Sequence, residues 1–249
     1  MVVASNWFIE WFNSPYFYQL YYQKTELEAA AFLEKIMTYL GTPAGSFMLD
    51  VGCGKGRYSK MLASYGQDVT GIDISFYGIE EAKKSESDHL HFFQHDVRLP
   101  FWINYFNYAV NLFTSFGYFK SEREHYNVIR TISNSIKPNG TFVMDYLNTH
   151  YDEDHLVHKA DKEIGGVNFH MTKWFDETHF YKKIVVEDEN LKEPLEYQEK
   201  VAKFSLGDFN DMFAFHHLQM QEVFGDYQFN KYNIKDSPRL IMIAKKVQK

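Results

Sequence analysis

The sequence predicts an α/β protein: a doubly wound, seven-stranded, mostly parallel sheet with an antiparallel β insertion after its fifth strand. Three observations predict it. Between residues 47 and 146, short apolar runs alternate with amphipathic helical stretches. That rhythm suits a parallel sheet with helices on both faces. The first apolar run ends in Gly52-Cys53-Gly54-Lys55-Gly56, which leads straight into a helix; glycine alone lets a backbone turn that sharply and still approach a ligand. After Asn148 the rhythm stops, and strand-like runs with polar turns continue to about Phe204.

Residues 5–22 are dense in aromatics: Trp7, Phe8, Trp11, Phe12, Tyr16, Phe17, Tyr18, Tyr21 and Tyr22. A membrane-surface helix needs a basic face that this stretch lacks, so a cap over a central pocket is expected. Leu27, Ala30, Ala31, Leu33, Ile36, Met37 and Leu40 recur at a helical period. They predict a helix over 25–39, stopped by Gly41-Thr42-Pro43. The core then reads as strand 47–51, helix 57–64, strand 68–72, helix 77–85, strands 91–94 and 108–113, and helix 122–136. Lys137-Pro138-Asn139-Gly140 is expected to turn the chain into strand 141–146. Within the insertion, Gly165-Gly166 marks a hairpin, and 182–187 and 197–204 read as further strands. A helix over 206–218 and strands 219–224 and 240–244 follow, the last expected to pair as a hairpin edge. The division is 1–44 for the cap and first helix, 45–148 with 205–249 for the core, and 149–204 for an inserted lid.

With 249 residues the chain can bury its own core. A net charge of −7 without Lys/Arg runs argues against a nucleic-acid groove, so nucleic acid is not an expected partner. One cysteine allows no internal disulfide, and Cys53 reads as a small turn residue rather than a catalytic thiol. The chain shows neither a basic-then-apolar leader nor an apolar run of bilayer length. The expectation is a cytoplasmic monomer or homodimer with no membrane partner. Aromatics make up 18% of the chain, a surplus expected to line a substrate cavity or interface as well as the core.

The glycine turn ends at a helix N-terminus, whose free amides can hold a polar or anionic group. A second strand ends in Asp73, one βαβ unit later, where a carboxylate would receive ribose hydroxyls. A nucleoside-containing ligand is implied. The spacing is Gly-x-Gly-x-Gly, with Asp50 two residues before the first glycine and Arg57 where a dinucleotide pattern has its third. Asp50 would repel a pyrophosphate and attract an ammonium and a sulfonium. On these residues the sequence resembles the class I S-adenosylmethionine-dependent methyltransferases, whose first motif is acidic-x-Gly-x-Gly-x-Gly and whose second ends in an acidic residue. Gln94-His95-Asp96-Val97 and the run from Phe106 to Phe113, followed by Thr114-Ser115-Phe116-Gly117-Tyr118, match the next two motifs in order. The resemblance is good over about 45–147 and loose elsewhere.

It implies a Rossmann-like methyltransferase fold, S-adenosyl-L-methionine as cofactor, and in-line methyl transfer to an N or O atom of a small molecule. Asp50, Gly52 and Gly54 would hold the methionyl end, with Leu112 and Phe113 beside it. Asp73 and Ile74 would meet the ribose, and Asp96 and Val97 the adenine. Tyr16 and Tyr21 lie in a segment similar to one that closes over the cofactor in small-molecule methyltransferases. Tyr118 and His150 are the candidate catalytic groups, because open α/β sheets bind ligands at the carboxyl ends of their strands. His170 is a further candidate; with eleven histidines in the chain, a solvated loop histidine is the competing reading of His150. Arg239 is expected to pair with Glu199. His216-His217 lacks a third ligand at helical spacing, so no metal is expected. Two other readings stay open: a protein that binds the cofactor without catalysis, and an NAD-type oxidoreductase.

Overall fold

The computed structural model describes residues 7–22 and 26–247, the side chains of 26–28 excepted; Thr25 and the Leu27 side chain of the expected helix lie outside this set. Two short helices, α1 (Trp7–Phe12) and α2 (Pro15–Tyr21), precede α3 (Glu26–Leu40). The core strands are β1 (Phe47–Val51), β2 (Asp68–Asp73), β3 (Leu90–Gln94), β4 (Phe106–Asn111) and β5 (Ile136–Leu147). Helices α4 (Arg57–Ser64), α5 (Phe76–Lys83) and α6 (Glu122–Ser135) connect them. Then come α7 (Thr149–Asp154), β6 (Lys159–Ile164), β7 (Val167–Phe175), β8 (His179–Glu187) and β9 (Leu195–Ala202). The chain ends with α8 (Leu206–Phe215), β10 (Leu218–Phe224) and β11 (Arg239–Lys246).

The main sheet has the order β10-β11-β5-β4-β1-β2-β3. Strands β1 to β5 run parallel and β11 antiparallel to β5. Successive side chains of β1 serve opposite faces. Met48 joins Phe32, Leu33 and Ile36 of α3 and Leu62 of α4. Leu49 and Val51 join Val128, Ile129 and Ile132 of α6 and Phe209 and Phe213 of α8. A strand buried on both sides is largely apolar, which is why 47–51 reads as an apolar run broken only by Asp50.

Three expectations need correction. The last strand is not an edge: β11 lies between β10 and β5. Leu240 to Ala244 are buried in succession, so both faces of β11 are covered, whereas Gln219, Gln221 and Glu222 leave β10 exposed at the rim. Residues 137–140 do not form a separate turn. Ile136 already pairs with Phe106, and the register then slips to Tyr108 with Thr141, the extra residues bulging out around Asn139 at φ 64°. Helix α8 stops at Phe215, where His217 turns left-handed at φ 60° and leads into β10.

Helix α6 begins with a reciprocal cap. Ser121 Oγ accepts from the Glu124 amide, and Glu124 Oε2 accepts from the Ser121 amide at 3.0 Å. Ser121→Ala should cost about 1 kcal/mol in urea denaturation; a loss under about 0.3 kcal/mol would show the cap to be dispensable.

The insertion is a four-stranded antiparallel sheet in the order β6-β7-β8-β9. Gly165 (φ 58°) and Gly166 (φ 80°) form its first hairpin turn, where both positions need positive φ. Its inner face, with Val167, Phe169, Met171, Ile184 and Val186, packs on Trp11 and Leu20. Cap and insertion therefore share one apolar core of their own.

Candidate active site

At the carboxyl end of β1 the chain turns through Gly52, Gly54 and Gly56, all at positive φ. The amides of Gly52 and Cys53 donate to the Ile72 carbonyl at 2.8 and 3.1 Å. The Gly54 amide donates to Asp73 Oδ2 at 2.8 Å, and the Ser75 amide to Asp73 Oδ1 at 2.7 Å. Asp73 thus ties the turn to the end of β2. A Cβ at Gly54 would lie 2.8 Å from the Tyr22 hydroxyl, and one at Gly56 2.4 Å from the Phe92 ring. Ser75 caps α5 by accepting from the Gly78 amide at 3.0 Å.

A cavity of about 650 Å³ opens over this turn. Asp50, Gly52, Gly54, Asp73, Ile74, Asp96, Val97, Leu112 and Phe113 line one end of it, as do Tyr18 and Tyr22 from the cap. Tyr21 and Tyr118 stand on its wall, with Asp152 from α7, Lys173, Lys182 and Glu199 from the insertion, and Arg239. Tyr16 does not line it. Tyr16 and Tyr21 are five residues apart on α2, about 1.4 turns, so they leave the helix in different directions, and the Tyr16 hydroxyl donates to Asp188 Oδ2 at 2.9 Å.

His150 is also outside the cavity. The Asn148 side-chain amide donates to the carbonyls of Ile234 and Ser237 at 2.9 and 2.7 Å. With that anchor, α7 turns Asp152 into the cavity, and His155 beyond it, and leaves His150 exposed. His170 sits on the outer face of β7, with Nδ1 2.8 Å from Asp161 and Nε2 3.4 Å from Glu187. His216 packs against the Tyr126 ring. Among the described residues no group of His, Cys, Asp or Glu is arranged to hold a metal, and no helix is long and apolar enough to cross a membrane.

The electrostatics differ along the cavity. Asp50 is only 2% exposed and accepts from Ser59 Oγ at 2.5 Å. Burial pushes its carboxyl up to about 6, against the hydrogen bond from Ser59. Since the folded value lies above the unfolded one, Asp50 weakens the fold as pH rises through about 6, and a cation bound beside it relieves that cost. If Asp50 meets the ammonium of the ligand, affinity for S-adenosylhomocysteine should rise by up to about tenfold from pH 5 to 7. Asp50→Asn should flatten that slope, and a slope that survives the substitution excludes Asp50 as its source. Asp96 is tied to Arg98, which also reaches Glu124 at 2.6 Å. Burial opposes the effect, but the Arg98 hydrogen bonds keep the Asp96 carboxyl below the usual range. Burial pushes the Cys53 thiol well up, which leaves it a poor nucleophile. Burial likewise raises the Tyr118 phenol, whose hydroxyl donates to the Thr114 carbonyl at 2.7 Å.

Arg239 does not pair with Glu199. Its Nε donates to Asp145 Oδ1 at 2.8 Å and its Nη2 to Thr114 Oγ1 at 2.9 Å. The cause is the strand order: β11 lies beside β5 and brings Arg239 next to the carboxylate. Glu199 instead accepts from Trp11 Nε1 at 2.6 Å and from the Tyr21 hydroxyl at 2.5 Å. Asp145 had a signal in the sequence, a single acid inside the apolar strand Phe142-Val143-Met144-Asp145-Tyr146-Leu147. A buried acid there requires a cationic partner.

The methyltransferase-domain family matches residues 49–144. The S-adenosyl-L-methionine-dependent Diels-Alderase iccD of Talaromyces variabilis is 46% identical over 52 residues, 21% of this chain and 18% of that protein. The dTDP-3-amino-3,4,6-trideoxy-alpha-D-glucopyranose N,N-dimethyltransferase of Streptomyces venezuelae is 30% identical over 105 residues, 42% of this chain and 44% of that protein. The chain thus spans less than half the length of either relative. A crystal structure of an S-adenosylmethionine-dependent methyltransferase from Clostridium acetobutylicum ATCC 824 superposes with a TM-score of 0.79 at 14% identity, covering 94% of this chain and 96% of that one. Residues 49–144 thus match a methyltransferase domain, and the chain has the fold of the S-adenosylmethionine-dependent methyltransferase structure. S-adenosylmethionine is the cofactor of such methyltransferases, and the turn suits it: Gly52 and Gly54 line the cavity, with Asp73 at the end of β2 and an acid rather than a base beneath the glycines.

Proposed function

We propose that this protein transfers a methyl group from S-adenosylmethionine to a nitrogen or oxygen of a small molecule enclosed between the core, the cap and the insertion. One observation carries the reading. The cavity that begins at the glycine turn continues to the inner face of the insertion, so cofactor and acceptor ends share about 650 Å³. That volume suits two small molecules. The Streptomyces venezuelae relative is named for an aminosugar substrate, which supports a metabolite-sized acceptor. A cytoplasmic monomer or homodimer completes the proposal.

When bound, the cofactor supplies an electrophilic methyl group. The chain has to bind, orient and exclude water. Asp50, Gly52 and Gly54 would hold the methionyl end, Asp73 and Ile74 the ribose, and Asp96 and Val97 the adenine. Leu112 and Phe113 would flank the methionyl group, and Phe113 is itself braced by stacking on Tyr58 at 4.5 Å. Phe12, Phe17, Tyr21 and Tyr118 close the cavity from the cap side. Tyr118 would act as an oriented wall residue, since its proton is already given to Thr114.

Calorimetric titration with S-adenosylhomocysteine, with NAD as control, tests the cofactor assignment. Micromolar or tighter binding of the former alone is expected; binding of NAD, or of neither, would overturn it. A second reading, cofactor binding without methyl transfer, is favoured by the match to a protein named as a Diels-Alderase. Radiolabelled methyl recovered in any member of an amine and phenol panel decides for transfer.

A further inference from the structure

The inner face of the insertion carries charge where it should be apolar. Alternation along β7 sends Val167, Phe169 and Met171 inward to the core shared with the cap, and Lys173 follows at the same parity. Directly across the ladder stands Lys182, and across from that Glu199. Like charges placed opposite each other on a sheet repel, so two lysines in this row require two negative partners. Lys182 has one: its Nζ lies 3.8 Å from Glu199 Oε2 and also bonds the Tyr21 hydroxyl. Lys173 has no ion pair among the described residues.

Asp152 is its counterpart on the other wall. Among the described residues no group hydrogen-bonds its carboxylate, though it lines the cavity. Its charged surroundings are Arg239 on β11, Lys173 on β7 and His155 just beyond its own helix; burial still pushes its carboxyl up. Arg239 is occupied by Asp145 and Thr114. One carboxylate and one ammonium are thus left facing the same space without a direct partner. Phe180, Leu156, Val157 and Val201 supply apolar wall in the same cavity.

We infer that the methyl acceptor is an amine that also carries one monoanionic group such as a carboxylate, its anion received by Lys173 and its ammonium by Asp152, which takes one proton so that the neutral nitrogen can attack the methyl carbon as the carbon–sulfur bond breaks. The inference rests on the proposed methyltransferase reading of the same cavity. Lys173 by itself matches a carboxylate better than a dianionic phosphate, because Lys182 is already answered by Glu199 and Arg239 by Asp145. A group carrying both charges gives each a partner at contact distance, whereas a neutral acceptor would leave Asp152 and Lys173 to face each other without a hydrogen-bonded partner.

The probes are L-phenylalanine, phenethylamine and 3-phenylpropanoate, which share a ring and differ only in charge. Each is titrated by calorimetry into the protein saturated with S-adenosylhomocysteine. L-phenylalanine should bind about tenfold tighter than either of the others, the scale of one added charge-assisted contact. Asp152→Asn should reduce it to the level of 3-phenylpropanoate, and Lys173→Met to the level of phenethylamine. Both variants should bind S-adenosylhomocysteine as the parent does, which establishes that they are folded. Equal affinities, no binding of any probe, or a preference untouched by both substitutions would overturn the inference while leaving the cofactor assignment standing. Failure of the parent to bind S-adenosylhomocysteine would remove both.

Discussion

Asp145→Ala is expected to destabilise the protein by about 3–5 kcal/mol, because it strands a largely buried guanidinium. Asp145 is fully buried on β5, and the Arg239 side chain is only 19% exposed. The carboxylate does more than pair with Arg239: Oδ2 accepts from the Phe113 amide at 2.8 Å and from the Tyr227 hydroxyl at 3.3 Å. Its loss takes one acceptor away from each of three donors, at the point where Phe113 and Thr114 run at positive φ. Those residues line the cavity, so affinity for S-adenosylhomocysteine should fall together with stability. Guanidinium denaturation of the alanine variant beside Asp145→Asn gives the measurement. The asparagine keeps one acceptor oxygen and should lose less. A difference under about 1 kcal/mol between parent and alanine variant would mean that water replaces the carboxylate at no cost, contrary to the burial.

Asp73→Ala should weaken S-adenosylhomocysteine binding by about 1–3 kcal/mol, the loss of charge-assisted hydrogen bonds to a ribose. The structure adds a second route to the same effect. Both oxygens of Asp73 take backbone amides, from Gly54 and Ser75, so the alanine variant also frees the glycine turn. The two routes separate by experiment. Thermal melting reports the turn without ligand, and calorimetry reports the affinity. A normal melting temperature with weakened binding assigns the loss to the ligand. Unchanged affinity removes Asp73 from the ribose site.

That Asp50, Gly52, Gly54 and Asp73 gather at one cavity was legible because their signals are local. A glycine turn, the acid at its base and the acid at the end of the next strand lie within the 24 residues from Asp50 to Asp73, and tight turns and strand ends are properties of short segments. The Gly165-Gly166 hairpin was legible for the same reason. Tyr16 was misplaced because an aromatic run does not disclose the phase of a short helix: its neighbours Tyr18, Tyr21 and Tyr22 reach the cavity and Tyr16 meets Asp188 instead. His150 failed likewise, since the direction of α7 depends on Asn148 holding two carbonyls more than eighty residues away.

By itself, then, the sequence determined the class of fold, the position of the glycine turn and the acids beside it, each a consequence of backbone geometry and hydrophobic pattern over a few residues. Only the tertiary structure decided the order of the last two strands, and with it the pairing of Arg239 with Asp145 rather than Glu199. It also decided which charges meet in the cavity, where Asp152, Lys173, Lys182 and Glu199 arrive from separate elements. Contacts of that kind depend on how layers pack, and nothing in the spacing of residues along the chain encodes them directly.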